Sequence, residues 1–177
     1  MQAKRYHPVL AALHWLLAFL LIGLLMGGTW SLKTVSNASP EKLNLLRMHM
    51  LMGGSILVLM LLRLVTRLTT EHPPATSTGS ALLDLLAPWV HWVLYGLVFV
   101  MAGSGIGMAV RAGLPDIVFS GVGQLPADFS AYPQRSVHGI VAKLLFLTIA
   151  LHAVAALYHH FIKRDGLLSR MWFGRRR

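Results

Sequence analysis

Apolar residues run in four long blocks along the chain, each interrupted by only a few polar positions. The blocks are about Val9–Trp30, Leu43–Leu62, Leu85–Val110 and Val137–Ile162. A bilayer core about 30 Å thick takes roughly 20 residues of helix, so each block predicts a membrane span. With their flanks the helices are expected at about 9–30, 43–68, 82–110 and 137–163, in one domain covering 1–177. The expected fold class is an all-α, four-helix transmembrane bundle. Lys4 and Arg5 precede the first block as they would in a signal peptide. That block is longer than the apolar region of about 7–15 residues found there, and Gly27-Gly28-Thr29-Trp30 is a poor cleavage site. It is expected to stay as a span.

The connections differ in kind. Ser31–Lys42 is short and polar, with Asn37 and Pro40 as turn signals, and Thr69–Ala81 reads as a plain linker around Pro73-Pro74. Ala112–Ser136 is long, and Pro115, Pro126 and Pro133 are expected to interrupt helix there. A loop of that length suits either a lid or binding surface, or a disordered connector. Gly23/Gly27 and Gly103/Gly107 have the small-xxx-small spacing that lets membrane helices approach closely.

Composition supports the membrane reading. The 177 residues are 55% hydrophobic and 12% charged, against about 25% charged in soluble domains. No cysteine is present, which excludes disulfides, thiolate metal sites, iron–sulfur clusters and covalent c-type haem. Net charge is +10, from 16 Lys and Arg against 6 Asp and Glu. Its distribution argues for orientation in a membrane rather than nucleic-acid binding. Ten basic residues (Lys4, Arg5, Arg63, Arg67, Lys163, Arg164, Arg170 and Arg175–Arg177) flank one side of the spans. Five (Lys33, Lys42, Arg47, Arg111 and Arg135) flank the other, so both termini are expected in the cytoplasm. Trp15, Trp89 and Trp92 at one level and Trp30 at the other suit interfacial anchors. The Arg175–Arg177 tail suits a topology and headgroup signal.

Nine histidines in so apolar a chain call for a chemical explanation. At about 1.5 Å rise per residue, His14 lies near the cytoplasmic face and His49 near the outer face. His138 opens the fourth span at the outer level, and His152 follows 14 residues later. That is about 21 Å deeper and close to four full turns, so both project from one side of the helix. Level matching pairs His14 with His152 and His49 with His138. Two imidazoles from different helices are suitable axial ligands for haem. With both axial positions filled, the iron is suited to carrying single electrons. Gly53, Gly54 and Gly139 adjoin these histidines, where small residues admit either a flat ring system or a neighbouring helix. His91 also falls at the cytoplasmic level. It could replace His14 or His152 as a ligand, or hydrogen-bond to one.

At these residues the chain resembles the bacterial cytochrome b561 family of small four-helix dihaem membrane proteins. The resemblance rests on Ala12-Leu13-His14-Trp15 and on Met48-His49-Met50-Leu51-Met52-Gly53-Gly54 running on to Arg63 and Arg67. It continues through His138-Gly139 and through Leu151-His152-Ala153 into Tyr158-His159-His160, and so covers essentially the whole chain. It implies two b-type haems on His14, His49, His138 and His152, with His91 unligated. It also implies location in the bacterial inner membrane and electron exchange with ubiquinone. The family includes a superoxide oxidase, which makes superoxide the expected donor on the periplasmic side. Lys143 stands where the resemblance leads one to expect an uncharged polar residue, and much of Ala112–Ser136 also departs from it.

Candidate residues around the haems follow. Arg47, Arg111, Arg135 and Lys143 could gather a small anion at the outer face, with Arg135 and Lys143 the substrate candidates. Arg47 and Arg135 could equally pair with propionates or lipid phosphates. A Lys inside a span costs roughly 2.5–3.5 kcal/mol on insertion scales, so Lys143 needs a partner. Arg63 and Arg67 could bind lipid or haem propionates. His159 is a quinone candidate, because histidine titrates near neutral pH and can deliver a proton, with Tyr158 and His160 as alternatives. One rival function keeps the haem and makes the chain a membrane-anchor subunit relaying electrons for a larger complex such as a hydrogenase. A remoter rival is a metal-ion transporter, which the absence of Asp and Glu from the span interiors disfavours.

Overall fold

The computed structural model describes residues 5–74 and 81–174, and no side-chain detail at 82 and 83. Lys4, the Arg175–Arg177 tail and positions 75–80 of the Pro73-Pro74 linker lie outside the described residues. Four long helices form the chain: α1 (Pro8–Met26), α2 (Glu41–Thr69), α3 (Ala81–Arg111) and α4 (Pro133–Tyr158). All four are long and apolar enough to cross a membrane. Among the described residues there is no strand.

Local chemistry sets the helix starts. Pro8 occupies the first turn of α1, where its missing N–H costs nothing, and His7 Nδ1 accepts from the Val9 amide. Tyr132 is extended ahead of Pro133, which opens α4. Pro133 was expected to interrupt helix; it begins one instead, because at a first position there is no hydrogen bond for it to remove. Helix α4 thus starts four residues before the expected boundary at 137, and Arg135 belongs to its first turn.

The far ends are less regular. Helix α1 widens into π-helix over Gly27–Leu32, and α4 does the same over His159–Lys163 before Arg164 turns left-handed at φ 53°. Helix α3 carries Pro88 in its interior.

The helices pack in a ring, α1 on α2, α2 on α3, α3 on α4 and α4 back on α1. Leu17, Ile56, Met60, Tyr95, Val98 and Leu145 make the central core. Outside it the surface is apolar, and Phe19, Leu68 and Ile162 each expose at least 67% of their area. Such a surface is expected where the solvent is hydrocarbon. Burial from water does not drive helix association there, so packing and interhelical hydrogen bonds must. Of the four glycines expected at close helix contacts, Gly23, Gly27 and Gly103 have open space where a Cβ would stand, and only Gly107 meets a neighbour, the Gln134 side chain. Small residues at that spacing permit an interface, but on α1 the facing side chains lie elsewhere.

The Ala112–Ser136 connection is built into the end of the bundle where α3 passes to α4. Residues Asp116–Ser120 form a π-helical turn closed by Gly121 at φ 69°, a conformation that glycine adopts without strain. Val118 and Leu114 are buried there with Leu46 and Ala109. Arg47 Nε and Nη2 donate to the Val118 carbonyl at 3.1 and 2.6 Å, and Asn37 Nδ2 donates to Pro126 O at 2.8 Å. Buried Lys42 donates to the Leu32 and Val35 carbonyls and closes the shorter loop.

The opposite end is also capped. The segment after α4 folds back, so that Trp15 Nε1 donates to Met171 O at 3.0 Å. Arg5 Nη1 reaches the carbonyls of Ser169, Trp172 and Phe173 at 2.8–3.3 Å. Arg5→Ala should loosen this cap by about 1 kcal/mol, raising its open population roughly fivefold. Limited proteolysis should then cut the chain faster after Lys163, while the bundle itself stays intact.

Candidate functional site

The histidines come together in two places, one toward each end of the bundle. Toward the end that holds the chain termini, His14 on α1 and His152 on α4 lie 6.2 Å apart between ring centroids, with ring planes at 80°. Toward the other end, His49 on α2 and His138 on α4 lie 6.1 Å apart at 65°. Leu145, fully buried, stands midway between His138 and His152 on the same face of α4. The central apolar core therefore separates the two pairs.

These separations suit a shared metal between the rings. Two imidazole–metal bonds of about 2 Å each, end to end and with half a ring at either side, come to about 6 Å. Among the described residues no three His, Asp or Glu side chains form a cage for a bare metal ion. Any iron here would take its remaining ligands from a macrocycle.

His138 is the best-defined of the four. Its Nδ1 lies 3.1 Å from the Met101 carbonyl and 3.1 Å from Ser104 Oγ. Donation from Nδ1 to the carbonyl leaves the Nε2 lone pair available, the usual arrangement behind a metal-bound histidine. Gly105 makes room for the ring, since a Cβ there would stand 3.2 Å from His138 Cε1. Across the gap, His49 Nδ1 is buried without a hydrogen-bond partner, and Cε1 of the same ring lies 3.8 Å from where a Gly28 Cβ would be. Met101, Ser104 and Gly105 were absent from the sequence reading. The small residues Gly103-Ser104-Gly105 were a signal, of which small-xxx-small spacing took up only Gly103, paired with Gly107.

The other candidates fall at varied places. Arg63 is buried, 8% exposed, and its Nη1 donates to Leu10 O at 2.7 Å, tying α2 to the start of α1 beside His14. Arg67 lies over the Trp92 ring, 5.6 Å from its centroid. Arg47 is engaged by the Val118 carbonyl. Arg135 reaches forward along α4, with Nη1 3.2 Å from where a Gly139 Cβ would stand, so the space beside Gly139 is taken by this guanidinium. Arg111 is exposed at the end of α3. Lys143 is exposed too, about 140° around α4 from His138, away from the imidazole pairs.

His159, His160 and Tyr158 lie where α4 passes into π-helix. His159 Nδ1 donates to Asp165 Oδ2, a pair in which the side chains are 12% and 24% exposed. Desolvation pushes the Asp165 carboxyl up, but the hydrogen bonds it accepts from His159 and the Leu167 amide outweigh this and hold it below the usual range. It therefore stays ionised at neutral pH. His91 on α3 joins the His14 pair, with its ring centroid 5.4 Å from that of His152.

The family model for prokaryotic cytochrome b561 matches residues 5–174. A protein of Yersinia pestis named "Probable superoxide oxidase CybB" is 30% identical over 175 residues, covering 95% of this chain and 96% of its own. "Cytochrome b561 homolog 2" of Escherichia coli K12 is 28% identical over 179 residues, covering 95% and 91%. With paired imidazoles inside four membrane-crossing helices and a family match over nearly its full length, the chain belongs to the prokaryotic cytochrome b561 family, multi-pass membrane proteins that transfer electrons through b-type haem.

Proposed function

We propose that this protein carries electrons across the bacterial inner membrane from superoxide at the outer face to ubiquinone, through two b-type haems. His14 and His152 would hold one and His49 and His138 the other, with both termini cytoplasmic. The observation that carries the reading is the pair of imidazole contacts, 6.2 and 6.1 Å between centroids, on either side of one apolar core. Haem held there would supply a one-electron iron couple. The likeness to the Yersinia pestis protein supports superoxide as donor.

The chain's own groups suit the two ends to different tasks. At the outer end Arg135 is the cation beside the His49/His138 pair, and it would draw a small anion toward that pair. Lys143, exposed on another side of α4, is the weaker candidate. At the inner end, each quinone needs two electrons and two protons, so two superoxide anions are oxidised to dioxygen per quinol formed. In its imidazolium form, with both ring nitrogens carrying hydrogen, His159 would donate Nε2–H to a quinone carbonyl and pass that proton on. Asp165 fixes the ring by accepting from Nδ1.

The purified protein should show two haems per chain by absorbance and pigment analysis. Superoxide should reduce them in stopped flow, and added ubiquinone should reoxidise them. His159→Ala should slow the quinone step by about 100-fold or more and leave reduction by superoxide unchanged. Slow reduction by superoxide of an isolated, fully loaded protein, together with a stable partner subunit on purification, would favour the anchor-subunit role instead.

A further inference from the structure

His152 has two imidazole neighbours, and they come from different helices. His14 on α1 lies 6.2 Å away between centroids and His91 on α3 lies 5.4 Å away. Both cross the His152 ring plane steeply, at 80° and 78°. Among the described residues the outer pair has no such third ring: His49 meets His138 alone.

His91 is prepared in the same manner as His138. Its Nδ1 lies 3.2 Å from the Ala87 carbonyl one turn back, and His138 Nδ1 lies 3.1 Å from that of Met101. In each case Nδ1–H donation to a backbone carbonyl holds the ring and leaves Nε2 with its lone pair. A histidine needing only a structural hydrogen bond would be satisfied by Ala87. Its edge-on contact with His152 adds ring packing but no partner for Nε2. The separation from His152 differs from that of His14 by 0.8 Å (6.2 against 5.4), within the reach of a side-chain adjustment.

Resting on the haem reading above, we propose that His91 is a reserve axial ligand, able to take the place of His14 opposite His152. The step is a ligand exchange: one imidazole–iron bond is lost, another forms, and no electron or proton is transferred. The inner haem would then tolerate loss of its α1 ligand, while the outer haem would tolerate loss of neither of its own.

The test is the spin state and haem content of purified variants, read by electron paramagnetic resonance and absorbance. His14→Ala should keep two low-spin haems per chain, with altered g values at one of them. His14→Gln, closer in size, should do the same and serves if alanine does not fold. His14→Ala combined with His91→Ala should turn one haem high-spin or lose it, and added imidazole should restore the low-spin signal. His49→Ala should leave a single low-spin haem. The proposal is overturned if His14→Ala and His14→Gln already match the double variant, if the double variant stays low-spin at both sites, or if His91→Ala alone costs a low-spin haem. A wild-type protein that purifies without haem would overturn the proposed function itself, an outcome separate from these.

Discussion

Alanine at His138 should halve the haem content, from the proposed two per chain to one, and cut superoxide-driven reduction by more than about 100-fold. That figure is the upper end of what loss of a mere supporting group around a metal ligand costs, and His138 is proposed as the ligand. Its ring is fixed by two contacts on α3, the Met101 carbonyl and Ser104 Oγ, each at 3.1 Å. His49 would be left facing an empty volume with a buried, unpartnered Nδ1. The haem proposed on the His14/His152 pair should keep its low-spin spectrum, because Leu145 and the central core separate the two levels. Ser104→Ala gives the graded case. It removes a contact to Nδ1 but leaves Met101 O as acceptor, so the haem should stay with a shifted midpoint potential. Two haems surviving in His138→Ala would contradict the ligand assignment.

Much of this arrangement is legible in the amino-acid sequence. Four spans follow from hydropathy, and proximity of His14 to His152 and of His49 to His138 follows from rise per residue and direction of travel. Both are properties of the backbone period, which a single sequence carries. What escaped depends on partners distant in the chain. The Ala112–Ser136 segment contains three prolines and reads as irregular, yet it is held by Arg47 from α2 and Asn37 from the opposite loop. Arg47 could be recognised as a membrane-edge cation, but nothing in its neighbourhood shows that its acceptor is a carbonyl 71 residues away. Pro133 shows the same limit on a smaller scale, since a proline ends one helix or begins the next according to what precedes it. The His159–Asp165 pair also needed the turn at Arg164 to bring the carboxylate back.

The glycines around His138 supply the sharpest steric test, because two of them sit on one helix in opposite circumstances. A Cβ at Gly105 would lie 3.2 Å from His138 Cε1 and 3.5 Å from Nδ1, whereas a Cβ at Gly103 meets nothing within 4 Å. Ring displacement cannot relieve the first contact cheaply. Moving His138 away from Gly105 pulls Nδ1 from Met101 and Ser104, which lie on the same helix within four residues of the intruding group. Gly105→Ala should therefore weaken the haem site proposed on His49 and His138, and Gly105→Val, with two more methyl groups, should weaken it further. Overpacking of a close-fitted interior costs typically about 1–3 kcal/mol, equivalent to roughly a tenfold to hundredfold loss of affinity for that haem. Haem titration of protein reconstituted from the apo form should resolve one weakened site and one unchanged. Gly103→Val adds the same bulk where the space is open, so both sites should bind as in the parent. Equal behaviour of the two valine variants would mean that the space beside His138 is not what Gly105 provides.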